Sequence, residues 1–166
     1  MIDVHPDLTN RALGALLGQA VGDALGATVE FMDARTIARL HPGGLRTIVG
    51  GGPFNLLPGQ VTDDTELALA LAHSLADHND YAADEAGLAY RAWLRSGPRD
   101  VGNTTTRAFG PPLVEDLEVA RQLEERACRS SQANGSLMRA SPLGVWGWCI
   151  DATHLATCAA QDSRLS

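Results

Sequence analysis

The segment from Leu67 to Leu75 is the feature that most restricts how this chain can fold, because leucine and alanine fill seven of its nine positions. A helix that is apolar on every side is stable only when neighbouring elements cover it. The sequence Thr62-Asp63-Asp64-Thr65 comes just before this segment. Asp63 with Glu66 three positions later fits the capping pattern of a helix start, where acidic side chains favour the helix dipole. We therefore predict a central, buried helix that begins at the two aspartates.

The adjacent carboxylates of Asp63 and Asp64 have two interpretations, a simple helix cap or a metal site. Two carboxylates about 4–5 Å apart repel by several kcal/mol at an effective dielectric near 20. A helix N-terminus returns only about 0.3–1 kcal/mol per charge, rising towards 2 when partly buried. If this N-terminus lies in a cleft, the part of the carboxylate repulsion that the helix dipole does not offset favours a bound cation. Oxygen donors without a nearby His or Cys favour Mg²⁺, Mn²⁺ or Ca²⁺ over Zn²⁺. Both interpretations stay open at this point.

Length and composition indicate one helical domain. At 166 residues and 45% hydrophobic content the chain can enclose a core, and it has few of the β-branched runs that a large sheet needs. The net charge of -7 argues against non-specific binding of nucleic acid, which depends on a basic surface. All thirteen basic residues are arginine. The absence of lysine excludes Schiff-base catalysis and a phosphate-loop lysine.

The cysteines and the apolar N-terminal segment predict a cytoplasmic protein without a membrane span. The three cysteines are odd in number and unclustered, so we expect reduced thiols. The segment from Ala12 to Ala27 is interrupted by Gln19 and Asp23. It is also shorter than the roughly 20 apolar residues that a membrane span needs. We expect no membrane segment.

The N-terminal third predicts two helices and a long loop. The first helix spans Leu8 to Gly26, capped by Thr9 or Asn10, and a glycine recurs on it every four residues from Gly14 onward. Because each glycine inside a helix costs about 1 kcal/mol relative to alanine, we expect another helix to approach this stripe closely. A short helix follows from Asp33 to Leu40. Residues 43–59 are rich in Gly and Pro, which predicts an irregular loop of the kind that often forms lids or binding loops.

Two further polar turns follow the central helix. The first, residues 99–107, comes after a helix predicted from Ala82 to Ser96, and either caps the next helix through Asn103 or Thr104 or binds hydroxyl groups of a substrate. The second, residues 131–139, contains Asn134-Gly135, which favours a left-handed turn before a helix N-terminus that can bind phosphate. We also predict a surface helix over residues 115–129 and a last helix from Asp151. These turns predict an all-α domain with a polar pocket where helix ends converge.

Four motifs in order strongly resemble the ADP-ribosylglycohydrolase family, in particular its dinitrogenase-reductase-activating bacterial members, and the resemblance runs from about Arg11 to Ser166. No motif is specific alone, and the order of all four makes the resemblance specific. The motifs are Leu13 to Gly26 with Glu30-Phe31, Thr62-Asp63-Asp64-Thr65, Asp100-Val101-Gly102-Asn103-Thr104-Thr105, and Asn134-Gly135-Ser136-Leu137-Met138-Arg139.

The resemblance implies a compact multi-helix fold and a pair of Mg²⁺ or Mn²⁺ ions. The reaction it implies is hydrolysis of the bond between ADP-ribose and an acceptor, typically protein arginine. The alternative is a non-catalytic relative that binds ADP-ribose or serves as a structural, crystallin-like protein. Carried over by position, the metal ligands are Thr62, Asp63 and Asp64, the catalytic residues are Asp100, Glu30 and Asp63, and the substrate-binding residues are Gly102, Asn103, Thr104, Asn134, Gly135, Ser136, Met138 and Arg139.

One departure from the family pattern concerns the C-terminal part. Family members are usually longer and carry a second acidic motif of the Gly-Asp-x-Asp-Thr kind, which supplies further metal ligands. Nothing after Ser136 contains it, and Asp151 and Asp162 lack the flanking pattern. We therefore expect residues 1–166 to be the N-terminal part of a single domain, truncated at the C-terminus. We expect a complementing C-terminal segment to be needed for activity and an apolar face of the central helices to be left uncovered without it.

Overall fold

The computed structural model describes residues 6–115 and 117–166. Within these residues there is no β-strand, only an isolated bridge between Gly51 and Leu56, which confirms the all-α prediction. Short 3₁₀ turns follow α1, at Ala27–Val29, and α7, at Gly147–Cys149. The α-helices are α1 (Pro6–Gly26), α2 (Ala34–Leu40), α3 (Asp63–His78), α4 (Ala83–Arg95), α5 (Asn103–Phe109), α6 (Val119–Arg126), α7 (Ser141–Trp146) and α8 (Ala152–Ser163). The chain divides into two compact units, Met1–Thr62 and Asp63–Ser166, which are described separately.

Helix α1 of the first unit differs from its prediction in two ways. It begins at Pro6, so Thr9 and Asn10 lie inside the helix and do not cap it. Proline suits a first helical position because its missing N–H has no partner there in any case. A Cβ added at Gly14 or Gly18 would meet no described atom within 4 Å. The expected close approach of another helix to this stripe is therefore absent from the described part of the chain.

The length argument against a membrane span is also wrong. Residues Asp7–Val29 are long and apolar enough to cross a membrane by length and composition alone, and 17% of the most apolar window is buried. Core helices and signal sequences meet the same criterion. The length and composition of this segment therefore do not assign it to a membrane span, a core helix or a signal sequence.

The rest of the first unit follows the sequence predictions closely. Asp33 caps α2 by accepting the N–H groups of Arg35 and Thr36, both at 3.0 Å. The 43–59 loop is irregular, and its Gly50 and Gly52 have positive φ values of 70° and 64°. A Cβ at Gly52 would overlap the carbonyl oxygen of Ala27, so only glycine fits there. The loop is thus held closely against the 3₁₀ turn that follows α1.

Helix α3 begins at Asp63, as predicted, and packs against α4 and α7. Leu67, Leu71 and Leu75 lie on one face and are at most 4% exposed. Leu69, on another side of α3, is 48% exposed. Leu69 and Trp93 border an apolar groove of about 610 Å³ between α3 and α4. An apolar face of the central helices is therefore uncovered, as the sequence predicted.

Helices α4 and α8 match their predictions, whereas α6 is shorter than predicted. It begins at Val119, and of the predicted residues 115–129 Asp116 lies outside the described residues. The side chain of Gln122 accepts the Val114 N–H at 2.6 Å and donates to the carbonyl oxygens of Val114 and Leu117. Because this amide provides partners to the backbone of Val114 and Leu117, these two residues are stabilised without being helical.

Gly87 gives a stability test of the packing between α4 and α6. An added Cβ would lie 2.7 Å from Cδ1 of the buried Leu123. Glycine-to-alanine changes in open helix positions gain up to about 1 kcal/mol, whereas overpacking a core costs about 1–3 kcal/mol. We expect Gly87→Ala to lower the free energy of unfolding measured by urea denaturation. Gly144→Ala is the matched control, because no atom of the described residues lies within 4 Å of its added Cβ. Equal stability of the two variants would contradict the described packing.

Candidate functional site

Thr62, at the end of the first unit, is fixed by Asp23 of α1. Its backbone N–H donates to Oδ2 of Asp23 at 2.9 Å, and its hydroxyl donates to Oδ1 at 2.7 Å. Thr62 is 5% exposed. Asp23 therefore has a positioning role that the sequence did not predict. The available signal was a carboxylate in the last turns of an otherwise apolar helix. Glu30, the other predicted site residue of this unit, is half-buried and follows the 3₁₀ turn.

In the second unit, Asp63 connects the start of α3 to the polar turn of residues 99–107. Its carboxylate Oδ2 accepts the backbone N–H of Gly102 at 3.2 Å, across 39 residues of sequence. Gly102 is the N-cap residue of α5, so Asn103 is the first residue of the helix and not its cap. Asp63 is 7% exposed and Asp64 is half-buried. Asp100 lies two residues before Gly102, so this hydrogen bond also restricts where Asp100 can lie.

The polar turn of residues 131–139 lies beside the polar turn of residues 99–107. A Cβ added at Gly135 would lie 3.6 Å from the hydroxyl of Thr104 and 3.7 Å from that of Thr105. Thr104 and Gly135 also line a cavity of about 310 Å³, together with Ser136. The other residues that line it are Ala127, Cys128, Arg129, Ser131, Ala133, Ser163, Arg164 and Ser166. Hydroxyl groups and two arginines are the groups that bind anionic oxygens, including phosphates.

Residues 134–139 form consecutive turns and not the start of a helix. Neither Asn134 nor Gly135 has a positive φ, and α7 begins only at Ser141 with Pro142 in its first turn. The predicted left-handed residue and the predicted helix N-terminus at Asn134-Gly135 are therefore wrong. The Met138 N–H donates to the Asn134 carbonyl at 2.9 Å, which closes the turn without a left-handed residue. Any phosphate contact here would depend on the cavity lining.

Arg139 has no solvent-accessible surface. Its Nε donates to Oδ2 of Asp162 at 2.9 Å, and its NH2 group donates to the Asp162 carbonyl at 2.7 Å. Its NH1 group donates to the carbonyl of Gly135 at 2.9 Å and to the hydroxyl of Ser166 at 2.8 Å. That Arg139 contacts substrate stays a prediction. In this structure its guanidinium lies behind the Gly135 turn, with protein partners.

Tyr90 completes the surroundings of Arg139. Its hydroxyl donates to Oδ1 of Asp162 at 2.6 Å, and its ring lies 4.5 Å from the guanidinium carbon. Burial and the Asp162 carboxylate raise the pKa of Tyr90, so it stays a proton donor. Burial lowers the pKa of Arg139, but the effect of Asp162 and its hydrogen bonds is larger in sum, and the net pKa is raised. The group is therefore a buried ion pair with a neutral phenol.

Asp162 was missed by the sequence analysis because it was sought as a metal ligand. Cys158, Asp162 and Leu165 are all buried and follow the i, i+4, i+7 spacing of one helix face. A carboxylate on an apolar stripe requires a buried partner, since an unpaired buried charge costs several kcal/mol. That signal was present in the sequence, but it does not identify Arg139 as the partner.

The donors for a metal ion are only partly assembled. Within residues 6–115 and 117–166, no group of three or more His, Cys, Asp or Glu side chains is arranged to hold one. The consecutive residues Thr62, Asp63 and Asp64 offer hard oxygen donors, which suit Mg²⁺ or Mn²⁺. Three such donors fill about half of an octahedral shell. The residues fit the type of ion but not its full coordination.

Comparison with known proteins gives one consistent result. Residues 4–166 match the ADP-ribosylglycohydrolase family. An ADP-ribosyl-dinitrogen reductase glycohydrolase of Rhodospirillum rubrum is 45% identical over 140 residues, which are 84% of this chain and 46% of the relative. An ADP-ribosylarginine hydrolase of Pseudomonas putida is 35% identical over 144 residues, which are 82% of this chain and 36% of the relative.

A solved structure gives the same picture. A chain of an "ADP-ribosylglycohydrolase-related protein complex" superposes with a TM-score of 0.76 and 32% identity, covering 97% of this chain and 50% of that one. The chain thus spans about half the length of the relatives it matches, or less.

Removal of the Asp63 carboxylate tests the link between the start of α3 and the polar turn of residues 99–107. A hydrogen bond to a charged group contributes about 1.5–3 kcal/mol, so Asp63→Ala should speed amide hydrogen exchange at Gly102 about tenfold or more. Exchange at Leu71, in the core, should be unchanged. Asp77→Ala removes an exposed carboxylate at the other end of α3 and serves as the control. Equal exchange at Gly102 in both variants would show that Asp63 does not hold this loop.

Proposed function

Because the chain belongs to the ADP-ribosylglycohydrolase family, we propose that it is the N-terminal part of a hydrolase that removes ADP-ribose from a modified protein. Arginine is the proposed acceptor, since two relatives are named ADP-ribosylarginine hydrolases. The observation that carries the proposal lies in the second unit. There the Asp63–Gly102 hydrogen bond, and the position of Gly135 and Thr104 in the lining of one cavity, gather the polar turns beside a cavity lined by hydroxyls and arginines.

The substrate-binding part of the proposal follows from the lining of that cavity. Hydroxyl groups of Thr104 and Ser136 suit sugar and phosphate oxygens, and the arginines at its edge complement the charge of a diphosphate. The residues proposed to contact ADP-ribose are Gly102, Asn103, Thr104, Asn134, Gly135, Ser136 and Met138, with Arg139 supporting the turn.

Asp100 is proposed as the carboxylate beside the scissile ribose. Cleavage of a glycosidic bond passes through an oxocarbenium-like state, which a nearby carboxylate stabilises. A protonated guanidine is a good leaving group, so a carboxylate that acts as acid is useful without being strong. Glu30 of the first unit is proposed as the second acidic group, and Asp63 as the residue that joins this chemistry to the metal ligands.

Thr62, Asp63 and Asp64 are proposed to hold divalent metal, Mg²⁺ or Mn²⁺. Such an ion, when bound, orients ribose hydroxyls and lowers the pKa of a coordinated water. Asp23 then fixes the Thr62 hydroxyl from behind, and the Gly102 N–H fixes Asp63. Ligating side chains held by such hydrogen bonds keep their orientation, which raises metal affinity.

A complementing C-terminal segment is the last part of the proposal. Three oxygen donors leave about half of one octahedral shell to be filled from elsewhere. The chain covers 46% of the Rhodospirillum rubrum relative and 50% of the structural neighbour, so each of them has a further part that this chain does not span. A segment equivalent to that half would supply the remaining ligands and cover the apolar groove beside Leu69.

Calorimetric titration of the 166-residue chain with Mn²⁺ and with ADP-ribose tests the function. We expect ADP-ribose to bind, and Mn²⁺ to bind weakly because its shell is incomplete. Asp63→Asn should weaken Mn²⁺ binding about tenfold or more, in the range of metal-site changes. Asp77→Asn, at the exposed end of the same helix, is the matched control. No heat with either ligand would contradict the enzymatic proposal and favour a structural relative. Equal Mn²⁺ affinity in both variants would return Asp63 to a capping role.

Substitution of Asp100 separates catalysis from metal binding. Hydrolysis of ADP-ribosylarginine should be measured for the chain alone and mixed with the half of the Rhodospirillum rubrum relative that it does not span. We expect turnover only in the mixture, reduced by Asp100→Asn about 100-fold or more, as for loss of a general acid or base. Mn²⁺ affinity should stay near wild type. Turnover by the chain alone at about 1 per second, an ordinary enzymatic rate, would contradict the need for a second segment. Parallel loss of metal binding would contradict the separate role of Asp100.

A further inference from the structure

The ion pair of Arg139 and Asp162 is completely enclosed. Both residues are at most 1% exposed. Burying two charges costs several kcal/mol per ion, and well-packed apolar residues in their place are often as stable or more stable. What an apolar replacement cannot supply is directed hydrogen bonds. The directed hydrogen bonds of this pair can therefore hold particular atoms in place.

The hydrogen bonds of this pair lead from α4 and α8 to one carbonyl. The Tyr90 hydroxyl and the Arg139 Nε occupy the two carboxylate oxygens of Asp162, which fixes the plane of the carboxylate. The second contact with Asp162, from NH2 to its carbonyl, fixes the plane of the guanidinium. The remaining NH1 group donates to the Gly135 carbonyl. The orientation of Asp162 thus determines where this donor points.

A second contact links the same end of α8 to the same turn. Ser163, next to Asp162, donates its hydroxyl to that of Ser136 at 3.0 Å. Two consecutive residues of α8 therefore hold two consecutive residues of the turn. Packing of the Arg139 guanidinium over the rings of Tyr90 and Phe109, at 4.5 and 5.6 Å, adds apolar contact without direction. The hydrogen bonds define the position, and the rings enclose it.

From this arrangement we propose that Asp162 is a positioning residue, which acts through Arg139 to fix the Gly135 carbonyl and hold residues 134–136 against Thr104 and Thr105. Its consequence for ADP-ribose affinity rests on the proposed function, whereas its effect on the turn does not. When the Asp162 carboxylate is removed, the guanidinium keeps the backbone carbonyl of residue 162 as an acceptor but loses the charged Oδ2 acceptor of its Nε. Its orientation is then less restricted, and so is that of the Gly135 carbonyl.

The experiment measures the turn directly in the 166-residue chain. Carbon and nitrogen backbone chemical shifts at Gly135 and Ser136, with amide exchange at residues 134–136, are compared between wild type and Asp162→Asn. We expect changed shifts at Gly135 and at least tenfold faster exchange in the turn, with Leu67 and Leu71 of the core unchanged. Asp151→Asn removes the exposed N-cap carboxylate of the same helix and is the matched control.

A second variant keeps the test decisive if Asp162→Asn does not fold. Tyr90→Phe removes only the donor to Oδ1 and keeps the ring stacked on Phe109, at 5.3 Å between centroids. The same shifts at Gly135, smaller in size, are expected. Unchanged Gly135 shifts in the folded variant would overturn the proposal, as would shifts equal to those of Asp151→Asn.

Titration with ADP-ribose then separates this inference from the proposed function. Wild-type binding that weakens about tenfold in the Asp162 or Tyr90 variant supports both. Altered Gly135 shifts without any wild-type binding of ADP-ribose would support the positioning role and contradict the proposed function. Wild-type binding with an unaltered Gly135 would do the opposite.

Discussion

The ion pair between Arg139 and Asp162 is the contact on which the second unit is arranged. It draws in Tyr90 from α4 and Phe109 from α5, and it is enclosed without any accessible surface on Arg139. A buried pair tolerates only one arrangement of its partners, because every alternative leaves a charge without hydrogen bonds. Four segments distant in sequence are therefore held in one geometry, and the turn at Gly135 belongs to that geometry.

The candidate site is built on helix starts and turns, with backbone groups as the connecting atoms. In the second unit the Gly102 N–H binds Asp63 and the Gly135 carbonyl binds Arg139. In the first unit, taken by itself, the Thr62 N–H binds Asp23. Backbone contacts of this kind place a loop without using up its side chains. Hydroxyl groups such as that of Thr104 then remain at the cavity, where they are available to bind the proposed sugar or phosphate ligand.

Two observations suit a chain that spans about half the length of the relatives it matches. The metal donors are too few for an octahedral shell, and Leu69 of the central helix is 48% exposed beside an apolar groove. In the relatives the matched region is 46% or less of the chain, and in the structural neighbour it is 50%. Under the proposed function, a segment equivalent to the unmatched part of the relatives would supply both the further ligands and the further core contacts.

The sequence by itself determined the helices, the polar turns and the family, because periodicity, capping residues and motif order are local properties. It placed the start of α3 at Asp63 and the start of α8 after Asp151 correctly. It failed where distant contacts decide, as at Gln122, which shortens α6, and at Gly135, which needs no left-handed backbone. Only the tertiary structure paired Asp162 with Arg139 and Asp63 with Gly102. A buried charge requires a partner, but the residues next to it in the sequence do not identify that partner.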